Sequence, residues 1–265
     1  MGADVVNPEL AAAVEEACPR TAAQQANREC LDELLGTVAH ELRGPLATVL
    51  TGVSVLASTC ALDPLARQTL PVMEGQLRQA IRLVDDLFDL CAGGLGKLSL
   101  HKEVVALDNV VERATEAAGH HLTARRHRLT VSLPAEPLCL EADPLRLSQV
   151  LTNLLSNAAK FTEPGGHVRL SVAAEGGQVV LRVKDNGRGI DPEALPRVFE
   201  LFEQIPGPEQ KKGGLGVGLA LVKSLVELHG GSVAAHSEGA GTGSEFVVRL
   251  PVGAGSGRDA ALATR

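Results

Sequence analysis

TVAHELRGPLATV, residues 37–49, is the segment that decides the fold. It sets a histidine directly before a carboxylate, His40 and Glu41, inside a helical pattern of apolar residues. Steps of three and four between apolar positions are typical of one face of an amphipathic helix. Because a helix turns by about 100° per residue, His40 is expected on the opposite side, facing solvent. The apolar positions are Leu31, Leu35, Val38, Leu42, Leu46, Val49, Val53 and Leu56.

His40 has two interpretations. A single histidine on a polar helix face is commonly a solvated surface side chain. Alternatively, it is a nucleophile, because neutral imidazole has a lone pair that can attack an electrophile. In that case Glu41 can orient the ring or accept the proton that the ring releases.

A second apolar stripe follows after a short turn. Asp63-Pro64 is typical of a helix start, and the apolar spacing predicts a helix to about Cys91. Two amphipathic helices joined in this way form a hairpin, which cannot bury both stripes by itself. Pairing two hairpins gives a four-helix bundle, so we expect a homodimer. The positions of the second stripe are Leu70, Met73, Leu77, Ile81, Val84, Leu87 and Phe88.

Composition narrows the class of protein. The chain has 265 residues, of which 45% are hydrophobic, so it can bury one or two aliphatic cores. A net charge of −7 argues against a nucleic-acid partner. The five cysteines lack metal-ligand spacing and fit a reducing compartment. No apolar run reaches the length of about 18 residues that a membrane span needs, so we expect a cytoplasmic location.

The pattern changes after the glycine-rich residues 93–100, which either cap the second helix or act as a hinge. Strands and helices then alternate, which predicts one mixed sheet covered by helices on one face, a two-layer α+β sandwich. Asp108 is expected to cap the first of these helices. The predicted strands are 104–107, 128–133, 137–141, 167–174, 178–184, 231–237 and 244–251, and the predicted helices are 108–122, 144–160 and 215–229.

The helix at 144–160 carries the first candidate site. Asn153, Asn157 and Lys160 follow one another at i, i+4 and i+7, so they share one helix face. Two carboxamides and an ammonium group suit Mg²⁺ and phosphate oxygens. The same trio also fits an ordinary solvated helix face.

Two further motifs follow a predicted strand. DNGRGI, residues 185–190, is either a common Asp-Gly turn or an adenine pocket, in which Asp185 accepts from an amine while Gly187 and Gly189 let the base approach. FELFEQ, residues 199–204, offers two phenylalanines, at least one of which is expected in the core.

Glycines dominate the last motifs. GGLGVGL, residues 213–219, opens a predicted helix, where free backbone donors and the helix dipole favour phosphate. It is neither a Rossmann fingerprint nor a Walker loop, because no strand directly precedes it and no Gly-Lys-Ser/Thr follows. GTGS, residues 241–244, is a second glycine turn that could equally belong to a hairpin.

Together these motifs resemble the two-component sensor histidine kinases. HELRGPL at residues 40–46 resembles their phospho-acceptor box, and the later motifs resemble, in order, the N, G1, F, G2 and G3 boxes of their ATP-binding domain. That domain has the GHKL (Bergerat-type) fold, which is shared with chaperone and mismatch-repair ATPases. The resemblance covers about residues 29–252.

The resemblance implies a role for each motif. His40 is the phospho-acceptor and Glu41 its base or orienting group. Asn157 holds Mg²⁺, and residues 203–213 form a lid over the nucleotide. Residues expected to contact ATP are Asn153, Asn157, Lys160, Asp185, Gly187, Gly189, Phe202, Lys211, Lys212, Gly214, Gly216, Gly218, Leu219 and Ser244.

The implied reaction is transfer of the ATP γ-phosphoryl group to His40, and then to an aspartate of a separate response regulator. Two alternative classes remain: an ATPase that drives conformational change without phosphoryl transfer, and a non-catalytic scaffold. Gly44 departs from the family, which often has Asn or Thr there, and this predicts weak phosphatase activity toward the regulator. The expected organisation is an arm at 1–28, a dimerising hairpin at 29–92, a hinge at 93–100, an ATP-binding domain at 101–252 and a disordered tail at 253–265.

Overall fold

The computed structural model describes residues 38–39, 41–58, 63–94, 98–203 and 216–252. The chain divides into two compact units, Met1–Leu98 and Ser99–Arg265. The predicted arm and tail lie outside the described residues, and so does His40.

The first unit is a helical hairpin. Helix α1 is described over 38–39 and 41–58, and α2 spans Pro64–Gly94. The Asp63 carboxylate accepts a hydrogen bond from Ala66 N at 2.7 Å, so the predicted Asp-Pro helix start has its side-chain cap. Arg43 donates to Asp85 at 2.6 Å, and Ser54 donates to Glu74 at 2.9 Å. Because residue numbers rise along α1 as they fall along α2, the two helices are antiparallel.

The apolar residues of α1 divide between two sides. Val53 is buried, and Leu46 and Leu50 are partly covered. A second set, seven residues apart, stays exposed: Leu42 at 47%, Val49 at 51% and Leu56 at 50%. We name Leu42, Val49 and Leu56 the outer seam. Within the described part of the first unit, one hairpin therefore leaves the outer seam about half exposed.

The second unit contains seven strands and three α-helices within its described residues. They are β1 (Glu103–Ala106), α3 (Leu107–Ala124), β2 (Arg128–Ser132), β3 (Cys139–Ala142), α4 (Pro144–Phe161), β4 (His167–Glu175), β5 (Gln178–Asp185), α5 (Gly218–Leu228), β6 (Ser232–His236) and β7 (Glu245–Pro251), with a 3₁₀ turn at Leu195–Arg197.

Five strands form the main sheet in the order β2-β4-β5-β7-β6. The sheet is mixed, because β2 and β4 are parallel while the other neighbours are antiparallel. Asp185, at the end of β5, is paired with Val168 of β4, and Lys184 is paired with Glu245 of β7. The end of β5 and the starts of β4 and β7 therefore meet at one end of the sheet.

Helix α4 packs against both α3 and α5. Its apolar face is buried, with Leu147, Leu151 and Leu155 fully covered. The partly exposed face carries Asn153, Asn157 and Lys160, so amphipathic patterning places these polar side chains away from the core.

The predicted fold class, a mixed sheet with helices, is confirmed, but two of the predicted strands lie outside the main sheet. Strand β1 pairs with β3, antiparallel, in a separate two-stranded sheet. Each of these strands has four residues and continues almost at once into a helix. Pairing between short segments far apart in sequence is not encoded in local periodicity.

Three predicted boundaries also differ. Asp108 is not the cap of α3, because β1 continues directly into that helix and Ala106 occupies the cap position. Asp108 instead lies in the first turn, where a carboxylate favours the helix dipole. Gly93 and Gly94, predicted in the hinge, belong to α2, and α5 begins at Gly218 rather than at 215 because Gly216 has a φ of +73°.

Candidate active site

Asp143 fixes the start of α4. Its Oδ1 accepts from the backbone N–H groups of Leu145 and Arg146, both at 3.1 Å, and its Oδ2 accepts from His101 N at 3.0 Å. Burial favours the neutral acid, yet these backbone hydrogen bonds outweigh it and hold the pKa of Asp143 below its ordinary value. The helix that carries the polar trio is therefore anchored by an ionised cap.

Asn153 faces the start of α5. A methyl group built on Gly218 would lie 3.9 Å from the Asn153 amide carbon. The buried Nδ2 of Asn153 has no hydrogen-bond partner within the described residues. Helix α5 begins at Gly218, and no side chain from the described part of the chain caps it. An amide donor and uncapped helix N–H groups at one place can bind an anion such as a phosphate.

Asp185 has the geometry of an amine acceptor. It is 5% exposed. Its Oδ1 accepts from Gly187 N at 2.8 Å and Ser244 N at 3.3 Å, and its Oδ2 accepts from Ser244 Oγ at 2.6 Å. A carboxylate has about four acceptor sites, so three donors leave room for one more. An exocyclic amine on a flat base matches that remaining site.

Gly187 lies where the turn after β5 approaches the end of α4. A Cβ at this position would lie 2.5 Å from Phe161 O and 2.8 Å from Asp185 Oδ1, distances that real Cβ atoms do not reach. Only glycine lets the turn come this close. Gly189 continues the turn at a φ of +72°.

Ser237 is a site residue that sequence reasoning missed. Its hydroxyl accepts from Ile190 N at 2.9 Å and donates to Gly243 O at 2.7 Å. In addition, Gly241 N donates to Arg188 O at 2.6 Å. The predicted G3 turn, residues 241–244, is therefore hydrogen-bonded to the predicted G1 turn, residues 185–190. No spacing rule in the sequence identifies Ser237, because its partners lie on two other loops.

Phe161, at the end of α4, is a second missed residue. The Lys160 Nζ lies 4.7 Å from the centroid of its ring, and the Arg188 Cζ lies 4.4 Å from it. Burial, followed by the nearby Arg188 charge, lowers the pKa of Lys160. The predicted site residue Lys160 thus stands beside a second cation from the turn after β5.

The two phenylalanines of residues 199–204 differ in packing and exposure. Phe199 packs edge-on against Phe246 at 6.2 Å, whereas Phe202 is 48% exposed. Phe202 has a φ of +64°, uncommon for a bulky residue, and its N–H donates to Gly216 O at 3.1 Å. Lys211, Lys212, Gly214 and most of the predicted lid lie outside the described residues.

In the first unit, Glu41 is exposed on α1. Two residues further on, Arg43 pairs with Asp85 and lies over the Phe88 ring at 5.3 Å from its centroid. These contacts fix the rotation of α1 against α2 next to the predicted acceptor.

Two family models match the chain. The His Kinase A (phospho-acceptor) domain matches residues 30–91. The histidine kinase-, DNA gyrase B- and HSP90-like ATPase matches residues 142–254. The chain belongs to the two-component sensor histidine kinases. In this histidine kinase, the first match contains His40 and the second contains every described residue of the predicted ATP site.

Individual histidine kinases agree with this assignment. Circadian input-output histidine kinase CikA of Synechococcus elongatus is 35% identical over 243 residues, 89% of this chain and 32% of that protein. The mycobacterial sensor histidine kinase MprB has a solved structure that is 30% identical, with a TM-score of 0.51, covering 57% of this chain and 98% of that one. The crystal structure of full-length ShkA in complex with AMPPNP is 29% identical, with a TM-score of 0.68, covering 83% of this chain and 46% of that one.

This histidine kinase chain spans from 15% to 48% of the length of eight curated relatives. Among the helices in the described ranges, none has both the length and the hydrophobicity of a membrane span.

Proposed function

We propose that this chain is the kinase core of a two-component system, which transfers the γ-phosphoryl group of ATP to His40. The observation that carries the proposal is the buried Asp185 carboxylate, held by three donors with one acceptor site left, in a chain that also matches a phospho-acceptor domain. From His40, the phosphoryl group passes to an aspartate on a separate response regulator.

ATP binding begins at Asp185, which accepts a hydrogen bond from the exocyclic amine of adenine. Gly187 and Gly189 let the base lie against the backbone, and Phe202 borders the site. Ser244 acts through Asp185, because its hydroxyl is already committed to that carboxylate. The solved ShkA complex with AMPPNP supports this kind of ligand for the fold.

The phosphates extend toward the start of α5. Asn153 Nδ2 has no hydrogen-bond partner in the described chain, and no described side chain caps the first turn of α5, which fits an anion at this place. Lys160 adds positive charge. The family resemblance assigns four further residues to this phosphate-binding end of the site: Gly214, Gly216, Lys211 and Lys212.

Mg²⁺ would be held by the side-chain oxygen of Asn157 together with phosphate oxygens, a donor set that suits this hard cation. Bound there, it would offset negative charge on the phosphates. Asn157 is partly exposed on the same helix face as Asn153 and Lys160.

At the acceptor, a ring nitrogen of His40 attacks the γ-phosphorus. The bond from phosphorus to the bridging oxygen breaks, ADP leaves, and a phosphorus–nitrogen bond forms. Glu41 orients the imidazole and accepts the proton that the other ring nitrogen loses. Because the protein does little covalent chemistry here, positioning and charge neutralisation dominate the rate.

The active form is a homodimer joined through the hairpin. The outer seam supports this, because one hairpin leaves Leu42, Val49 and Leu56 about half exposed, and a second hairpin can cover them. We further propose a cytoplasmic location, no nucleic-acid partner, and the five-part organisation given by the sequence.

Autophosphorylation tests the proposal. The full chain is incubated with γ-labelled ATP and Mg²⁺, alongside His40→Gln and the matched control His236→Gln, which alters an exposed histidine on β6. We expect acid-labile, base-stable label on the wild type and on His236→Gln, and none on His40→Gln. Label that persists in His40→Gln, or ATP hydrolysis without label on the protein, would overturn the proposal.

A further inference from the structure

Side chains from the loop after α3 cap the end of α4. The last carbonyl groups of an α-helix have no donors within the helix and need partners from elsewhere. The Arg125 guanidinium serves two of them, because its Nη1 donates to Ala159 O at 2.9 Å and to Lys160 O at 2.5 Å. His127 Nε2 also donates to Ala159 O, at 2.9 Å. Since a cation at this end also favours the helix dipole, Arg125 stabilises the last turn of α4 in two ways.

The backbone of Arg125 is held at the same place. Its carbonyl oxygen accepts from Gly165 N at 2.9 Å, and Arg128 N donates to Gly166 O at 2.9 Å. Two backbone hydrogen bonds therefore join the loop after α3 to the loop after α4, and Arg125 itself makes one of them. Because its main chain is fixed there, the guanidinium loses less conformational entropy when it reaches the helix carbonyls.

The capped turn carries two groups of the proposed nucleotide site. Lys160, whose carbonyl accepts from Arg125, supplies positive charge proposed for the phosphates. The next carbonyl, Phe161 O, accepts from Arg188 N at 3.1 Å, and this hydrogen bond attaches the proposed adenine turn, residues 185–190, to α4. Fraying of the last turn would therefore displace the phosphate-binding lysine and the adenine turn together.

We propose that Arg125 is a positioning residue for nucleotide binding, which acts through the last turn of α4 on Lys160 and on the turn at 185–190. This inference rests on the proposed function, because it assigns a supporting residue to the same ATP site. Arg125 lies outside every motif that carries the family resemblance.

Binding of ADP to the full chain tests the proposal, by titration calorimetry at a temperature where circular dichroism shows each variant folded. Arg125→Met keeps the apolar stem and removes the charged donors, which should weaken ADP roughly tenfold. Arg125→Lys keeps the charge but not the planar fork, and should weaken ADP only about threefold. Arg126→Met is the matched control, because it removes the same charge from the exposed neighbouring side chain. It should bind ADP like the wild type.

Amide hydrogen exchange of the nucleotide-free chain separates positioning from a general loss of stability. The Arg188 amide, bonded to Phe161 O, should exchange about tenfold faster in Arg125→Met than in the wild type. The Ile190 amide of the same turn is bonded instead to Ser237 Oγ, at 2.9 Å, and should keep its wild-type rate.

Wild-type ADP affinity in Arg125→Met, or an equal loss in Arg126→Met, would overturn the role of Arg125. Equal acceleration of the Arg188 and Ile190 amides would also overturn it, because that pattern shows general loosening. If Arg125→Met does not fold, Arg125→Lys decides, and wild-type ADP affinity in that variant would overturn the proposal. Failure of the wild-type chain to bind ADP would instead overturn the proposed function, whereas the exchange of the Arg188 amide is measured without nucleotide.

Discussion

Ser244 donates its hydroxyl hydrogen to the Asp185 carboxylate, with 2.6 Å between Oγ and Oδ2. The two residues are 59 positions apart and meet because β7 pairs with β5, Lys184 opposite Glu245. The orientation of the proposed adenine acceptor therefore depends on the register of a neighbouring strand.

Replacing Ser244 with alanine should weaken ADP binding. The substitution removes the donor to Oδ2, so the carboxylate is less firmly oriented. A hydrogen bond to a charged group contributes about 1.5 kcal/mol, which corresponds to roughly tenfold in affinity. Titration calorimetry on the full chain measures this. Ser244→Thr keeps the hydroxyl and should bind normally, as should the exposed-site control Ser132→Ala; equal affinities for Ser244→Ala and the wild type would contradict the assigned role.

His229 should make stability depend on pH. It is buried, its Nδ1–H donates to Leu225 O at 2.8 Å, and its Nε2 accepts from Asp143 N at 3.1 Å. This arrangement requires the neutral ring. Burial lowers the pKa of His229 from 6.5; nearby Lys102 adds to this, while the Leu225 hydrogen bond and Asp143 oppose it.

Proton binding by His229 is linked to unfolding, so the direction of its pKa shift decides how stability changes with pH. Below a pH of about 6.5 the unfolded histidine takes up a proton that the folded one resists, so stability falls as pH decreases through that value. The slope from one group is at most about 1.4 kcal/mol per pH unit. Urea unfolding at pH 7.5 and 5.5 measures this change in the free energy of unfolding. The pH dependence should be weaker in His229→Gln than in the wild type and unchanged in His236→Gln; an identical slope in His229→Gln would contradict this.

Gly44→Asn should raise dephosphorylation of the phosphorylated regulator and leave autophosphorylation intact. A Cβ at Gly44 meets nothing within 4 Å, so the helix accepts the side chain, and replacing glycine does not cost helix stability. Gly52→Asn is the matched control, since Gly52 is an equally open glycine on α1. Release of labelled phosphate from the regulator is the measurement. A rate for Gly44→Asn no higher than that for Gly52→Asn would rule out the interpretation of Gly44.

Val49→Glu should convert the proposed dimer to a monomer. Val49 lies in the middle of the outer seam and is 51% exposed in one chain. Pairing with a second hairpin would remove the new carboxylate from water, which costs free energy. Thr51→Glu, on the opposite side of α1 and exposed, should leave the dimer intact. Sedimentation velocity distinguishes the two states. The proposed interface would be wrong if both variants sediment like the wild type.

Local signals predicted much of the fold. Helix α4 was placed correctly because Asp143-Pro144 marks its start and its apolar spacing is continuous. The strands of the main sheet were placed within a few residues because period-two patterns and glycine turns bound them. The comparisons confirmed the family because several short motifs occur in a fixed order.

Contacts between distant segments could not be predicted. The pairing of β1 with β3 depends on two short strands whose sequences favour no particular partner. Ser237 and Arg188 contact residues of other loops and helices, which come together only in the folded chain. Arg188 was visible inside the DNGRGI motif, but nothing in its spacing indicated that it would lie over Phe161.

Asp143 has a consequence beyond capping. Its carboxylate binds the segment before β1 and the first turn of α4, while its own N–H binds the histidine that follows α5. None of these three regions can open without leaving a polar group of another unsatisfied. We therefore expect the three regions to open together in hydrogen exchange, so that α4 is protected by residues far from it in sequence.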